Sequence, residues 1–144
     1  MPVSKEDLDV VAKTVWAESR GEGVTGMLCV AHVIKNRLED KRWGDTYEKV
    51  CKAPYQFSCW LKSDPGYLHL VSWDWNSKEA SKVLALGIAS VVLHGFSKDP
   101  TNGANHYHTT MRPPWLPKAV WPPKWAASMG PATVVGSHSF YRDK

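Results

Sequence analysis

The sequence has no apolar run long enough to span a bilayer, and Lys5, Glu6, Asp7 and Asp9 stand where a leader segment would need apolar residues. No signal peptide or membrane anchor is expected. The G-x-x-x-x-G-K-[ST] loop and a G-x-G-x-x-G following a strand are both missing, which removes the nucleotide-binding classes. No serine sits in a G-x-S-x-G elbow, and H-E-x-x-H does not occur. Cysteine is scarce: Cys29, Cys51 and Cys59 form an odd set without C-x-x-C spacing, against both a structural zinc site and a full disulfide framework. Cys29, among Leu28, Val30 and Ala31, reads as a buried thiol. Cys51 and Cys59 are either free or bridged across a short loop, depending on the redox compartment.

What is present suits a globular protein. The 144 residues are 43% hydrophobic and 22% charged with no low-complexity tract, enough for one domain over residues 1–144 with a single core. Eighteen Lys and Arg against fourteen Asp and Glu leave a net charge of +4, scattered rather than clustered on one predicted helix face. Such a surplus suits a polyanionic partner, nucleic acid or an anionic cell surface, without choosing between them.

Leu8, Val11, Ala12, Val15 and Ser19 recur at helical spacing, and Ser4 with Asp7 has the form of a capping box, so residues 5–19 are predicted helical. Gly21 and Gly23 stop that helix. Glu18, on its last turn, falls about 20° from Val11 around the axis and so shares the core-facing side. Burial disfavours a charged carboxylate and raises its pKa, the environment of a general acid. The ordinary alternative is a helix-end residue paired with Lys13 or Arg20.

Further along, a second helix is predicted from Thr25 to Leu38, folded against the first as a hairpin with Glu18 near the junction. Residues 45–52 add a turn or two, and residues 53–75 read as a structured loop with room for a short strand. Asn76 and Glu79 offer a capping pair for a third helix, Ala80 to Val92, whose apolar content marks it as the central, most buried one. Turn formers at 98–103 lead to a short strand at 104–108. Six prolines between Pro113 and Pro131, interleaved with Trp115, Trp121 and Trp125, exclude regular structure over most of that stretch, leaving an ordered loop or a mobile lid. Residues 133–141 alternate as a strand with Val134, Gly136, His138 and Phe140 on one face, able to form a hairpin with 105–108.

Several groupings invite chemistry. His106 and His108 project to one side of a strand and His138 could add a third zinc ligand, but no carboxylate completes a familiar pattern, so substrate contact or core packing is the better reading. The eight tryptophans exceed the needs of a core this size; aromatic faces hold sugar rings or bases, or else pack beneath Pro-rich loops. Glu22, four residues after Glu18, is either the second carboxylate of a glycosidase pair or a support for the loop after Gly21, and the second is favoured.

The run from Ala17 through Glu18, Ser19, Arg20, Gly21 and Glu22, then Gly26 and the helix end Val33-Ile34-Lys35-Asn36-Arg37, resembles the opening of the SleB-type cell wall hydrolases of spore cortex-lytic enzymes and phage endolysins. Three more blocks agree in order: Gln56-Phe57-Ser58, then Asp99 to Ala104 leading into His106-Tyr107-His108, and finally Gly136 to Tyr141. The resemblance implies a compact lysozyme-like α+β fold, mainly helical with a small hairpin or sheet. It also implies cleavage of the peptidoglycan bond between N-acetylmuramic acid (MurNAc) and N-acetylglucosamine (GlcNAc). Glu18 then becomes the catalytic acid, and Gln56, Asn105 and Tyr107 fall in blocks that line the substrate groove; Glu22 and His138 are expected to join that substrate-binding set, and no metal or cofactor is expected. The chain departs from the family at Ser19, usually Ala, and in the histidines flanking Tyr107.

With one dominant carboxylate, the expected reaction is that of a lytic transglycosylase giving 1,6-anhydro-MurNAc ends; hydrolysis as a muramidase is the alternative, and a non-catalytic glycan-binding module a further one. Expected partners are peptidoglycan glycan strands, with no nucleic acid, no stable membrane association and a monomeric state. The expected setting is a phage endolysin with no separate wall-binding module, made in the host cytoplasm and reaching the wall after release by a holin.

Overall fold

The computed structural model describes residues 2–54, 56–73, 76 and 78–143. Tyr55 and Trp75, both in the stretch read as a structured loop, lie outside the described residues. Helix α1 (Lys5–Ser19) begins with the capping box foreseen: the Asp7 N–H donates to Ser4 Oγ at 3.0 Å and the Ser4 N–H to Asp7 Oδ2 at 3.1 Å. It ends in a single 3₁₀ turn, Arg20–Glu22, and the chain re-enters helix at once as α2 (Gly23–Asp40). The second helix thus starts two residues before Thr25, because Gly23, at φ 73°, makes the sharp change of direction in place of a longer link.

Short helices α3 (Tyr47–Lys52) and α4 (Tyr67–Ser72) follow, with a 3₁₀ turn at Ser58–Trp60 between them. The stretch read as a loop therefore holds helical turns, pinned by Phe57, Cys59 and Leu70, which reach the core; no strand forms among its described residues. Helix α5 (Ala80–Leu93) packs on α1 and α2. Glu79 is its N-cap residue, so Asn76 does not take the expected capping position.

The expectation that α5 is the most buried helix is corrected. It buries one face through Ala85, Ile88, Ala89 and Val92 while Val83, Leu84 and Val91 stay exposed. The centre belongs to α1 and α2, whose Val11, Ala12, Val15, Met27, Val30, Ala31 and Ile34 are fully buried. Apolar content alone does not fix burial; the number of neighbours a helix has does.

A three-stranded antiparallel sheet completes the fold, in the order β1 (His106–Thr109), β3 (His138–Tyr141), β2 (Thr133–Val135). The expected pairing of the 105–108 segment with the C-terminal one forms, with Tyr107 opposite Phe140. The C-terminal stretch is not one strand, however. Gly136 at φ 57° reverses the chain, so Val134 pairs with Ser139 on the outer face and is 61% exposed, while His138 and Phe140 face inward with Thr133 and Val135. The single face expected for Val134, Gly136, His138 and Phe140 does not survive that turn.

Phe140 docks the sheet on α2 in a second small core with Cys29, Val33 and Ala104. The Pro-rich stretch covers the opposite face: Trp121 lies 5.0 Å from His108, and Trp125 5.1 Å from His106 and 5.5 Å from Tyr141, between ring centroids. It is an ordered cover with a 3₁₀ turn at Lys118–Val120 and one turn of helix, α6 (Lys124–Ala127). No helix among the described residues is long and apolar enough to cross a membrane.

Candidate active site

Glu18 ends α1 where α1, α2 and the inner face of β1 meet. It accepts a hydrogen bond from the Tyr107 hydroxyl, O···O 2.9 Å, on Oε1. Burial pushes its carboxyl above the ordinary range; the Tyr107 hydrogen bond and the charge of Arg37 pull the other way, and Asp64 adds a small upward push. The desolvation foreseen from helical phase is therefore present, and it outweighs two stabilising neighbours. Tyr107 is held far from ionising by burial and by Glu18 itself, so it stays a hydroxyl donor.

Arg37 was not singled out from sequence. It is 5% exposed, its Nε–H donates to the Asn105 carbonyl at 2.8 Å, and its guanidinium lies 4.7 Å from the Trp43 ring centre and 5.2 Å from that of Phe57. Its Nη1 has no hydrogen-bond partner among the described residues. A signal was there: Arg37 continues the apolar stripe Val30–Ile34 of α2, and a cation on a core-facing stripe needs a reason. The reason is electrostatic, since a buried positive charge near Glu18 keeps the ionised acid within reach.

Glu22, in the 3₁₀ turn, points to the β2–β3 turn. Its Oε1 accepts from Ser137 Oγ in a short hydrogen bond and lies 3.2 Å from His138 Nδ1. The Ser137 bond, first among its influences, holds this carboxyl below the ordinary range. Gly26 makes the position possible, because a Cβ there would sit 2.3 Å from Glu22 Cβ. The favoured supporting role fits this arrangement.

His138 stacks edge-on against Tyr107 with ring centres 5.3 Å apart. The structure thus joins Glu18, Tyr107, His138 and Glu22 in one contact chain. Asn105 and Gln56 lie apart from it. Asn105 is 4% exposed; its Nδ2–H donates to the Asp143 carbonyl at 3.1 Å, and its Oδ1 accepts from the Asp143 N–H at 2.9 Å, tying the C-terminal strand to β1. Gln56 is exposed, beside the Phe57 that packs on Arg37.

The histidine trio does not converge. His106 and His108 face the Trp cover, with His108 Nε2 2.9 Å from the Tyr141 hydroxyl, while His138 faces the helices. All three cysteines are free and buried, and burial pushes the thiols up, Cys29 to about 11 and Cys51 to about 12. Trp60 donates from Nε1 to Thr14 Oγ1 at 2.8 Å, so with Trp121 and Trp125 it serves packing. A recess of about 630 Å³ beside Lys5, Asp9, Lys13 and Trp60 lies along the start of α1 and does not include Glu18. Burial and hydrogen bonding select Glu18.

Residues 21–141 match the family model described as Cell Wall Hydrolase, a span that begins just after Glu18 and takes in Glu22, Arg37, Tyr107 and His138. Over 55 residues the chain is 38% identical to the spore cortex-lytic enzyme of Oceanobacillus iheyensis, a match covering 38% of this chain and a fifth, 20%, of that relative. The catalytic domain of the germination-specific lytic transglycosylase SleB from Bacillus anthracis superposes with a TM-score of 0.69 at 24% identity, covering 96% of each chain. The Bacillus cereus SleB catalytic domain gives 0.68 at 23% identity, covering 98% of this chain and 93% of that one. The fold is the lysozyme-like, mainly helical one expected.

Proposed function

The chain belongs to the cell wall hydrolase family, and from that membership we propose that it cleaves the MurNAc–GlcNAc bond of peptidoglycan as a lytic transglycosylase. The observation that carries this reading is a half-buried carboxylate, Glu18, bonded to Tyr107, with the nearby Glu22 already engaged by Ser137 and His138. Protonated Glu18 donates its proton to the glycosidic oxygen, the C1–O bond breaks and GlcNAc leaves as an alcohol. The ionised Glu18 then takes the proton of the MurNAc 6-hydroxyl as that oxygen bonds to C1, closing a 1,6-anhydro ring and restoring the acid. No water is consumed, so no second carboxylate is needed to hold one.

Hydrolysis as a muramidase is the second reading, and Glu22 motivates it: freed from Ser137, its carboxylate could position a water. Mass spectrometry of soluble muropeptides from purified peptidoglycan separates the two. Products lighter by one water than reducing-end fragments, absent with Glu18→Gln, support the transglycosylase. Reducing ends give the bond to a muramidase, and intact glycan with the wild-type protein sinks both in favour of a binding module.

For the setting we propose bacteriolysis by a phage endolysin acting on the wall after holin release. The relatives' names favour spore germination instead. Lysis on co-expression with a holin supports the first; restored germination in spores lacking their own cortex-lytic enzyme, without such lysis, supports the second.

A further inference from the structure

The excess charge is concentrated. Residues 1–99 hold thirteen Lys and Arg against thirteen Asp and Glu, whereas residues 100–144 hold five against one, so the whole +4 lies in the last third of the chain. Between Asp99 and Asp143 there is no carboxylate side chain. Three of those cations, Arg112, Lys118 and Lys124, belong to the Pro-rich cover of the sheet.

The inner side of that cover packs through Trp121 and Trp125 on His106, His108 and Tyr141. Its outer side presents Met111 and Trp115, each 80% exposed, and Val120, 49% exposed. Trp115 stands in a closed turn. The Leu116 N–H donates to the Pro113 carbonyl at 3.0 Å, and the Arg112 guanidinium donates to the Leu116 carbonyl in a short hydrogen bond. Pro113, Pro114 and Pro117 restrict the backbone around it, so binding through Trp115 would lose little conformational entropy. A tryptophan fixed in that way and left in water does not serve the core.

The composition of the stretch points to what would cover it. Residues 109–131 contain no Asn, Gln, Asp or Glu, the side chains that fix sugar hydroxyls by directional hydrogen bonds. Apolar side chains interleaved with long cationic ones suit the boundary of a bilayer, where an indole lies at headgroup depth and Lys reaches lipid phosphates. We propose that the 111–124 surface docks this protein peripherally on an anionic lipid bilayer. Docking needs no spanning helix, and it revises the expectation of no stable membrane association. Tyr107 projects from the other face of the same strand, so the lipid-facing surface and Glu18 lie on opposite sides of the sheet.

Co-sedimentation with vesicles of phosphatidylglycerol and phosphatidylcholine, against phosphatidylcholine alone, is the test. The wild-type protein is expected to pellet with the anionic vesicles only, and less so as salt is raised. Lys118→Gln with Lys124→Gln is expected to weaken that partition by about tenfold to thirtyfold. Trp115→Ala is expected to weaken it several-fold, and both variants should cleave soluble glycan fragments like the wild type. Wild-type protein left in the supernatant overturns the proposal, as do variants that pellet equally well. Retention on insoluble peptidoglycan that is lost in Trp115→Ala, without vesicle binding, would assign the surface to the wall and also overturn it. The vesicle and peptidoglycan binding outcomes do not depend on whether Glu18 cleaves glycan.

Discussion

Replacing Tyr107 by Phe removes one oxygen and keeps the ring that packs on His138 and Phe140. What is lost is the 2.9 Å bond from the Tyr107 hydroxyl to Glu18 Oε1. Hydrogen bonds to a charged partner are worth about 1.5–3 kcal/mol and those to a neutral one about 0.5–1.5 kcal/mol, so the ionised form of Glu18 loses the larger share. A difference near 1.4 kcal/mol is about tenfold in the equilibrium between the two protonation states. In the proposed reaction Glu18 starts protonated, so its ionisation sets the alkaline limb of the pH–rate profile. In Tyr107→Phe that limb moves to higher pH, while the rate on the plateau falls because the second half of the reaction needs a well-placed base. The assay is release of muropeptides across pH under single-turnover conditions. An alkaline limb that stays in place, or moves to lower pH, would refute the account of Tyr107 as the donor that stabilises ionised Glu18.

Glu18→Gln should abolish cleavage by about 10²–10⁴-fold, the share a general acid supplies, and should also stabilise the fold. The sign follows from the raised carboxyl: below the ordinary pKa both states are protonated, the unfolded chain ionises first, and wild-type stability falls as pH rises from that value to the native state's higher one, above which the loss is complete. The gain in thermal midpoint of Glu18→Gln over wild type should therefore be larger at pH 8 than at pH 4. Gly26→Ala places a methyl 2.3 Å from Glu22 Cβ and should cost about 1–3 kcal/mol by overpacking, read by urea unfolding; because Glu22 must shift, activity should fall more than stability implies. Phe140→Ala should cost about 3–5 kcal/mol, since that fully buried ring joins the sheet to α2. Weakened protection of β1 and β3 amides in hydrogen exchange would locate the loss.

Local rules carried the reading of α1, because its capping box, apolar period and glycine stop all lie within one stretch of chain. The same arithmetic put Glu18 on the buried side. What failed was non-local. That α5 lies at the edge of the helical layer depends on how α1 and α2 pair, and no periodicity within α5 contains that. The turn at Gly136 was hidden inside an alternating run, since alternation looks the same across a two-residue reversal until the reversed strand finds its partner. Asn105 and Tyr107 are two residues apart, yet one ties down the C-terminal strand and the other reaches Glu18, a distinction set by pairing register. Arg37 was visible as a cation on an apolar stripe, but its meaning required knowing that the end of α1 lies across from it.

The balance of forces on Glu18 bears on how one carboxylate could serve twice in the proposed reaction. A residue that gives a proton and then takes one must not prefer either form by much at the working pH. Burial alone would keep Glu18 protonated but make it a reluctant proton donor, since a desolvated carboxyl resists becoming charged. Tyr107 and Arg37 act against burial, the first by a direct bond to Oε1 and the second through its charge. They support the ionised state that the proposed reaction places between its two proton transfers. Arg37 does this without offering an exposed cation to the substrate, because Trp43 and Phe57 enclose its guanidinium. Glu22 sits outside that balance. Its carboxylate is fixed on Ser137 and His138, and through His138 it braces the ring of Tyr107, so the second acid of the motif works on the geometry of the first.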